Sequence, residues 1–163
     1  MKQFVLIFSL LCTWQTVLSQ TTYYKGEWTR VNKHELFTGI FKIDITNDGK
    51  AQAELVWTIL AADSTSRYYL DYYNGKKGKS GIEYAEGFFS AVTNDLYLAG
   101  KEKDDPYLIL GLDKYHLKLA SNKQVLYGTT ETEGTNEGLF YAIKLNNESG
   151  VKAFMTAKTT VKK

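Results

Sequence analysis

Gly81-Ile-Glu-Tyr-Ala-Glu-Gly-Phe-Phe-Ser90, then Asp95-Leu-Tyr-Leu-Ala-Gly100, then Gly111-Leu-Asp-Lys-Tyr-His-Leu-Lys-Leu-Ala120: these three runs decide the fold. Each alternates apolar with polar residues, the period-2 signature of a strand with one face buried. Thr93-Asn94 and Asp104-Asp105-Pro106 interrupt the alternation with turn-forming residues. Strands joined in order by short turns form an antiparallel meander.

The same grammar extends in both directions. Upstream, strands are expected over Tyr23 to Val31, Leu36 to Thr46, Lys50 to Ala61 and Arg67 to Tyr73. Asn47-Asp48-Gly49 closes the second, because these residues tolerate the positive φ of a hairpin turn. The glycine-lysine run from Asn74 to Ser80 reads as a mobile hairpin tip. The central strands run Ile82 to Val92, Asp95 to Lys103 and Ile109 to Ala120. Gln124 to Glu131 and Leu139 to Asn146 follow, with a loop over Glu133 to Gly138. No window carries a helical stripe longer than two turns, and the stretch 150–163 is expected as a last strand or a flexible basic tail.

Glycines recur within these strands. Gly26, Gly39, Gly100, Gly111 and Gly128 each share the more apolar face, while Gly138 shares its face with Lys144 and Gly87 is ambiguous. Inward glycines let strands coil around a narrow interior. The expectation is an all-β fold, an up-and-down meander closing into a barrel of about eight strands.

Residues 1–19 read as an export leader outside the folded domain. Lys2 supplies the charge, Phe4 to Leu11 the apolar core, and Val17-Leu18-Ser19 the small-residue exit. Cys12 lacks the preceding small residues of a lipidation signal, so processing is expected after Ser19. Removing 19 of the 163 residues leaves 144, with the barrel assigned to 20–149. Cys12 is the only cysteine, so the processed chain is held by packing without disulfides. That inventory suits a periplasm or cell exterior.

With Lys2 gone, 19 basic residues face 18 acidic ones, and only Arg30 and Arg67 are arginines. This balance gives no electrostatic footprint for nucleic acid. Past the leader, no apolar run is long enough for a membrane helix.

Gly26-Glu27-Trp28 on the first strand resembles the opening of lipocalin-like and avidin-like barrels, the calycin group. In that group the tryptophan plugs one barrel end, and in lipocalins a basic side chain packs over it. The resemblance implies a calycin-like barrel with Trp28 and Arg30 closing one end. Gln124-Val-Leu-Tyr-Gly-Thr-Thr-Glu131 is similar to a late avidin-type strand. The second lipocalin motif, a late Thr-Asp-Tyr, is absent, as are the tryptophans that line an avidin biotin pocket, since only Trp28 and Trp57 follow the leader.

Catalytic chemistry has few candidates. His34 falls in a turn and His116 on a polar strand face, with no nucleophile partnership or zinc-ligand spacing around them. No cofactor is implied. Glu83 and Glu86 lie an odd distance apart and face opposite ways. Asp104-Asp105-Pro106 lacks a calcium-loop pattern and reads as a turn. Adjacent tyrosines, Tyr23-Tyr24, Tyr68-Tyr69 and Tyr72-Tyr73, are expected to split between the two sheet faces.

Asp113 is the sharpest residue. It shares a face with Ile109, Tyr115 and Leu117, and a charge there must be paired, hydrogen-bonded or neutralised. Three partners compete, in this order: Arg30 or a lysine, a tyrosine hydroxyl such as Tyr84 or Tyr127, or a ligand in the barrel mouth. The sequence thus points to an exported, non-enzymatic barrel holding a small apolar or extended ligand. Trp28, Arg30, Asp113 and Tyr115 are the candidate contacts. The alternative is a structural or interaction module with a packed interior and a protein or polysaccharide partner.

Overall fold

The computed structural model describes residues 19–31, 35–62, 67–132 and 136–161. The leader, apart from Ser19, lies outside the described residues, and so does His34. Eight strands form one antiparallel sheet: β1 (Ser19–Arg30), β2 (Glu35–Thr46), β3 (Lys50–Ala62), β4 (Ser80–Ser90), β5 (Asp95–Asp104), β6 (Lys114–Leu119), β7 (Val125–Thr132) and β8 (Asn136–Lys144). Each pairs with the next, and β8 closes on β1, giving an up-and-down barrel with no free edge. The hairpin at Asn47-Asp48-Gly49 forms with Gly49 at φ 84°.

Alternation places the expected residues inside. Tyr24 and Trp28 from β1, Phe37, Phe41 and Ile43 from β2, and Leu55, Trp57 and Ile59 from β3 are buried in one cluster. Leu96, Leu98, Tyr115, Leu117, Leu126, Phe140 and Ala142 complete it. At mid-height the rings meet across the axis. Phe41 lies 4.5 Å from Trp57 and 5.2 Å from Phe140, and Tyr115 lies 6.1 Å from Phe140, all in tilted or edge-on contacts. This aromatic layer separates a packed lower half from an open upper end.

Gly138 does not break the inward pattern. It is buried, and a Cβ there would fall 2.0 Å from Trp28 Nε1 and 2.6 Å from Thr130 Oγ1. Only glycine leaves room for the Trp28 indole to reach across β8 and donate to Thr130 Oγ1 at 2.6 Å. Lys144 shares this face but sits at the strand's far end, half-buried, where the face runs out into solvent.

Three segments differ from the expectation. Residues Arg67–Tyr73 form a short helix, α1, instead of a strand. Tyrosines at 68, 69, 72 and 73 recur at i, i+1, i+4 and i+5, a spacing that serves a helix face as well as two strand faces. The strand expected over Ile109 to Ala120 is confined to β6. The Asp105 carboxylate accepts the N–H groups of Ile109 (3.0 Å) and Leu110 (2.8 Å), so they are withdrawn from any ladder. Asp104 ends β5, and the turn runs from Asp105 to Leu108, whose N–H donates to the Asp105 carbonyl at 3.2 Å, with Asp105 as its organiser.

The third difference is the C-terminal segment. Asn147–Val161 is a helix, α2, not a strand or a frayed tail. Asn146 caps it, its Oδ1 accepting the Ser149 N–H at 2.8 Å. Gly150, Phe154 and Val161 are buried and Ala157 is half-buried, a stripe at i, i+4, i+7 and i+11. That stripe covers the outward residues Tyr23, Ile40, Val56, Ile82 and Tyr84. Lys158 Nζ also pairs with Glu54 on β3. The tyrosines Tyr23 and Tyr24 do split between faces, Tyr24 inward and Tyr23 against Phe154 at 5.9 Å.

Truncating Phe154, the largest buried side chain of α2, should remove most of this second core. Phe154→Ala is expected to cost about 3 kcal/mol in urea unfolding, the scale of a buried Phe truncation. A loss below about 1 kcal/mol would show that α2 merely rests on the barrel.

Candidate functional site

Above the aromatic layer the barrel opens into a cavity of about 450 Å³. Trp28, Phe37 and Trp57 form its apolar wall, and Tyr72 and Tyr73 of α1 stand at its rim. Arg30, Glu35, Glu83, Asp113 and Thr132 supply the polar groups. The far wall is the segment 109–113 that leads into β6.

The rim is tied together. The Tyr72 hydroxyl donates to the Leu108 carbonyl at 2.8 Å, and Lys76 Nζ reaches the same oxygen at 3.2 Å. Leu108 holds a positive φ of 54°, which turns its carbonyl towards both donors. α1 and the turn after β5 are therefore clasped over one side of the mouth.

Each carboxylate has a different environment. Glu35, at the start of β2, is 3% exposed. Its Oε2 accepts from Arg30 Nε at 2.6 Å and its Oε1 from the Tyr73 hydroxyl at 2.6 Å. Burial and Glu35 together hold the Tyr73 phenol well above its ordinary value.

Glu83 on β4 is 2% exposed. Its Oε1 accepts the Asp113 N–H at 2.9 Å, and its Oε2 accepts the Tyr115 hydroxyl. Gly100 makes the space for this carboxyl, since a Cβ there would lie 2.2 Å from Glu83 Oε1. Desolvation, then the nearby Asp113, push Glu83 up to about 8. Its proton is accordingly held more tightly than that of an ordinary carboxylic acid.

Asp113 faces inward, as its alternation requires, but neither expected class of protein partner holds it. Arg30 is paired with Glu35. Tyr127 is on the outer face, and Tyr84 packs beneath α2. Thr132 takes the place of both, donating to Asp113 Oδ1 at 2.6 Å. Burial raises Asp113 above the usual carboxylate range, opposed by Thr132 and by the charge of Arg30.

Of the four sequence candidates, Trp28, Arg30 and Asp113 line the cavity together. Tyr115 lies beneath it, 1% exposed, as the hydrogen-bond partner of Glu83. Phe37, Trp57, Tyr73, Glu35 and Thr132 were not among the candidate contacts, and Glu83 was weighed as a carboxylate but not placed among them. Glu83 and Thr132 had a readable signal in the face they share with Ala85 and Thr130; Tyr73 did not, since its segment reads as a strand. His116 is exposed on the outer face, edge-on to Tyr97 at 5.2 Å. Among the described residues no group of three or more His, Cys, Asp or Glu side chains is placed to hold a metal ion. No helix among them is long and apolar enough to cross a membrane.

No protein-family model, curated protein or solved structure matches this chain. The calycin resemblance therefore rests on the barrel architecture and on Gly26-Glu27-Trp28.

Glu83 makes stability depend on pH with a defined sign. Its ordinary value is 4.5 and its folded value about 8. Between these the folded state keeps a proton that the unfolded chain releases, so stability falls as pH rises through that window. Urea midpoints of the wild type should drop from pH 5 to pH 8.5, and Glu83→Gln should flatten most of that slope. An unchanged slope in the variant would place the effect elsewhere.

Proposed function

We propose that this protein is an exported, non-enzymatic β-barrel that holds a small ligand in its mouth, in the manner of calycin-like barrels. The observation that carries the reading is the cavity of about 450 Å³ at one end of a closed barrel. Its size falls within the range of small-molecule sites, and an aromatic wall with a few convergent polar groups is their usual lining. The packed lower half fits the same reading, because it gives the cavity a rigid floor.

The non-enzymatic part is supported by how the carboxyls are used. Both oxygens of Glu83 and both of Glu35 are engaged by the protein itself. Neither is held out towards a substrate as a general acid or base would be. Export is supported by the leader pattern of Lys2, Phe4 to Leu11 and Val17-Leu18-Ser19. A chain secreted with its leader should begin at Gln20 by N-terminal sequencing; an intact Met1 would remove this part of the proposal.

A different observation favours the alternative of an interaction module. Leu139, Tyr141 and Ile143 on the outside of β8 are 48%, 51% and 50% exposed, with Tyr127 beside them at 43%. Such an apolar row suits a protein or polysaccharide partner.

Two measurements separate the readings. Native mass spectrometry of the exported protein should find a co-purifying small molecule. Gly111→Phe should expel it by filling the mouth; the atoms nearest a Cβ there are Thr132 Cγ2 at 3.0 Å and Asp113 Oδ1 at 3.2 Å, so a melting curve of the variant is the control for disturbance of that pair. An empty cavity in the wild type, with no change in Trp28 and Trp57 emission on adding cell extract, would leave the interaction module as the better account.

A further inference from the structure

We infer that the ligand carries a protonated amine, received by Asp113 with the aromatic wall around its organic body. This rests on the reading of the mouth cavity as a ligand site and adds the charge of its occupant.

The argument runs by elimination among the polar groups of the cavity. Glu35 is neutralised by Arg30 and bonded by Tyr73. Glu83 has both oxygens bonded, by Tyr115 and the Asp113 N–H. Asp113 alone keeps an oxygen in reserve. Its Oδ1 is bonded by Thr132, while its Oδ2 makes no hydrogen bond or ion pair with a described residue. No buried side-chain polar atom among the described residues lacks a partner, so Oδ2 is open to the cavity. A carboxylate with one neutral donor, facing a partly desolvated pocket, is completed by a cation that also donates a hydrogen bond.

The walls agree with this charge. Trp28, Trp57 and Tyr73 line the same cavity as Asp113. The negative faces of aromatic rings attract ammonium groups, and aromatic walls beside an acid are a common way of receiving organic amines. The fit for an anionic ligand is poor, because the guanidinium available to it, Arg30, is paired with Glu35.

The test uses three probes with one body and three ends: 2-phenylethylamine, 2-phenylethanol and phenylacetate. Calorimetry on the full processed chain at pH 7 should rank the amine at least 10-fold tighter than the alcohol, with phenylacetate weakest. Asp113→Asn should bring amine and alcohol to similar affinity. Should that variant fold poorly, the wild type supplies a second readout. Amine affinity should fall as pH is lowered and Asp113 takes up a proton, while alcohol affinity stays flat. Arg30, Glu35, Tyr72, Tyr73, Glu83, Lys103 and Tyr115 are the other charged or titratable groups around the site, and the raised value of Glu83 puts its ionisation on the alkaline side.

Alcohol binding as tight as the amine, or phenylacetate binding tightest, would overturn the amine inference and leave the ligand pocket standing. Failure of all three probes, together with an empty cavity in native mass spectrometry, would remove the pocket reading itself.

Discussion

An eight-stranded barrel has an interior barely wide enough for its own side chains. Everything in this structure follows from how that narrow space is divided. Phe41, Trp57, Tyr115 and Phe140 fill it completely at mid-height, ring against ring. Such packing is possible because glycines stand where a second bulky residue would collide. Above the layer the residues are too few or too polar to close the space. The layer also sets the electrostatics. Glu83 is bonded to Tyr115, a member of the layer, and is buried at the cavity's floor beside it. Burial raises its proton affinity, while Glu35 is matched by Arg30 and Asp113 has only Thr132 as a side-chain partner.

The strand order was legible because the turns were. Asn47-Asp48-Gly49 and Thr93-Asn94 carry their φ requirements in their composition, and the structure uses Gly49 and Asn94 in the left-handed region. The helices were less legible for a physical reason. α2 contains Gly150, three threonines and Val161, poor helix formers that a local reading discounts. Its stability comes from the barrel wall it covers, where Val56 and Ile82 are apolar on the outside of the sheet. An outward Ile82 beside an inward Glu83 inverts the usual pattern for a barrel strand. It becomes intelligible only with Phe154 lying over it.

The site was legible in part. Asp113 stood out because it interrupts an apolar face, and that face survives even where the chain leaves the ladder. Its partner was not legible. Thr132 lies 19 residues away at the end of β7, and the hydroxyl carries no charge that would draw attention to it. Glu35 and Tyr73 depend on one another, 38 residues apart, through a helix that reads as a strand. Sites assembled from strand ends and connecting segments are encoded in distances that alternation does not measure.

The closing seam gives the barrel a particular folding problem. Seven of the eight pairings join consecutive strands, and these contacts are local. The pairing of β1 with β8 joins the two ends of the barrel and carries the largest loop-closure entropy. The Trp28 to Thr130 bond spans 102 residues and reaches past that seam to β7. Non-local contacts of this kind slow folding and form late. The seam therefore carries the highest entropic cost of closing the cylinder, and the indole that walls the cavity also ties the first strand across that seam.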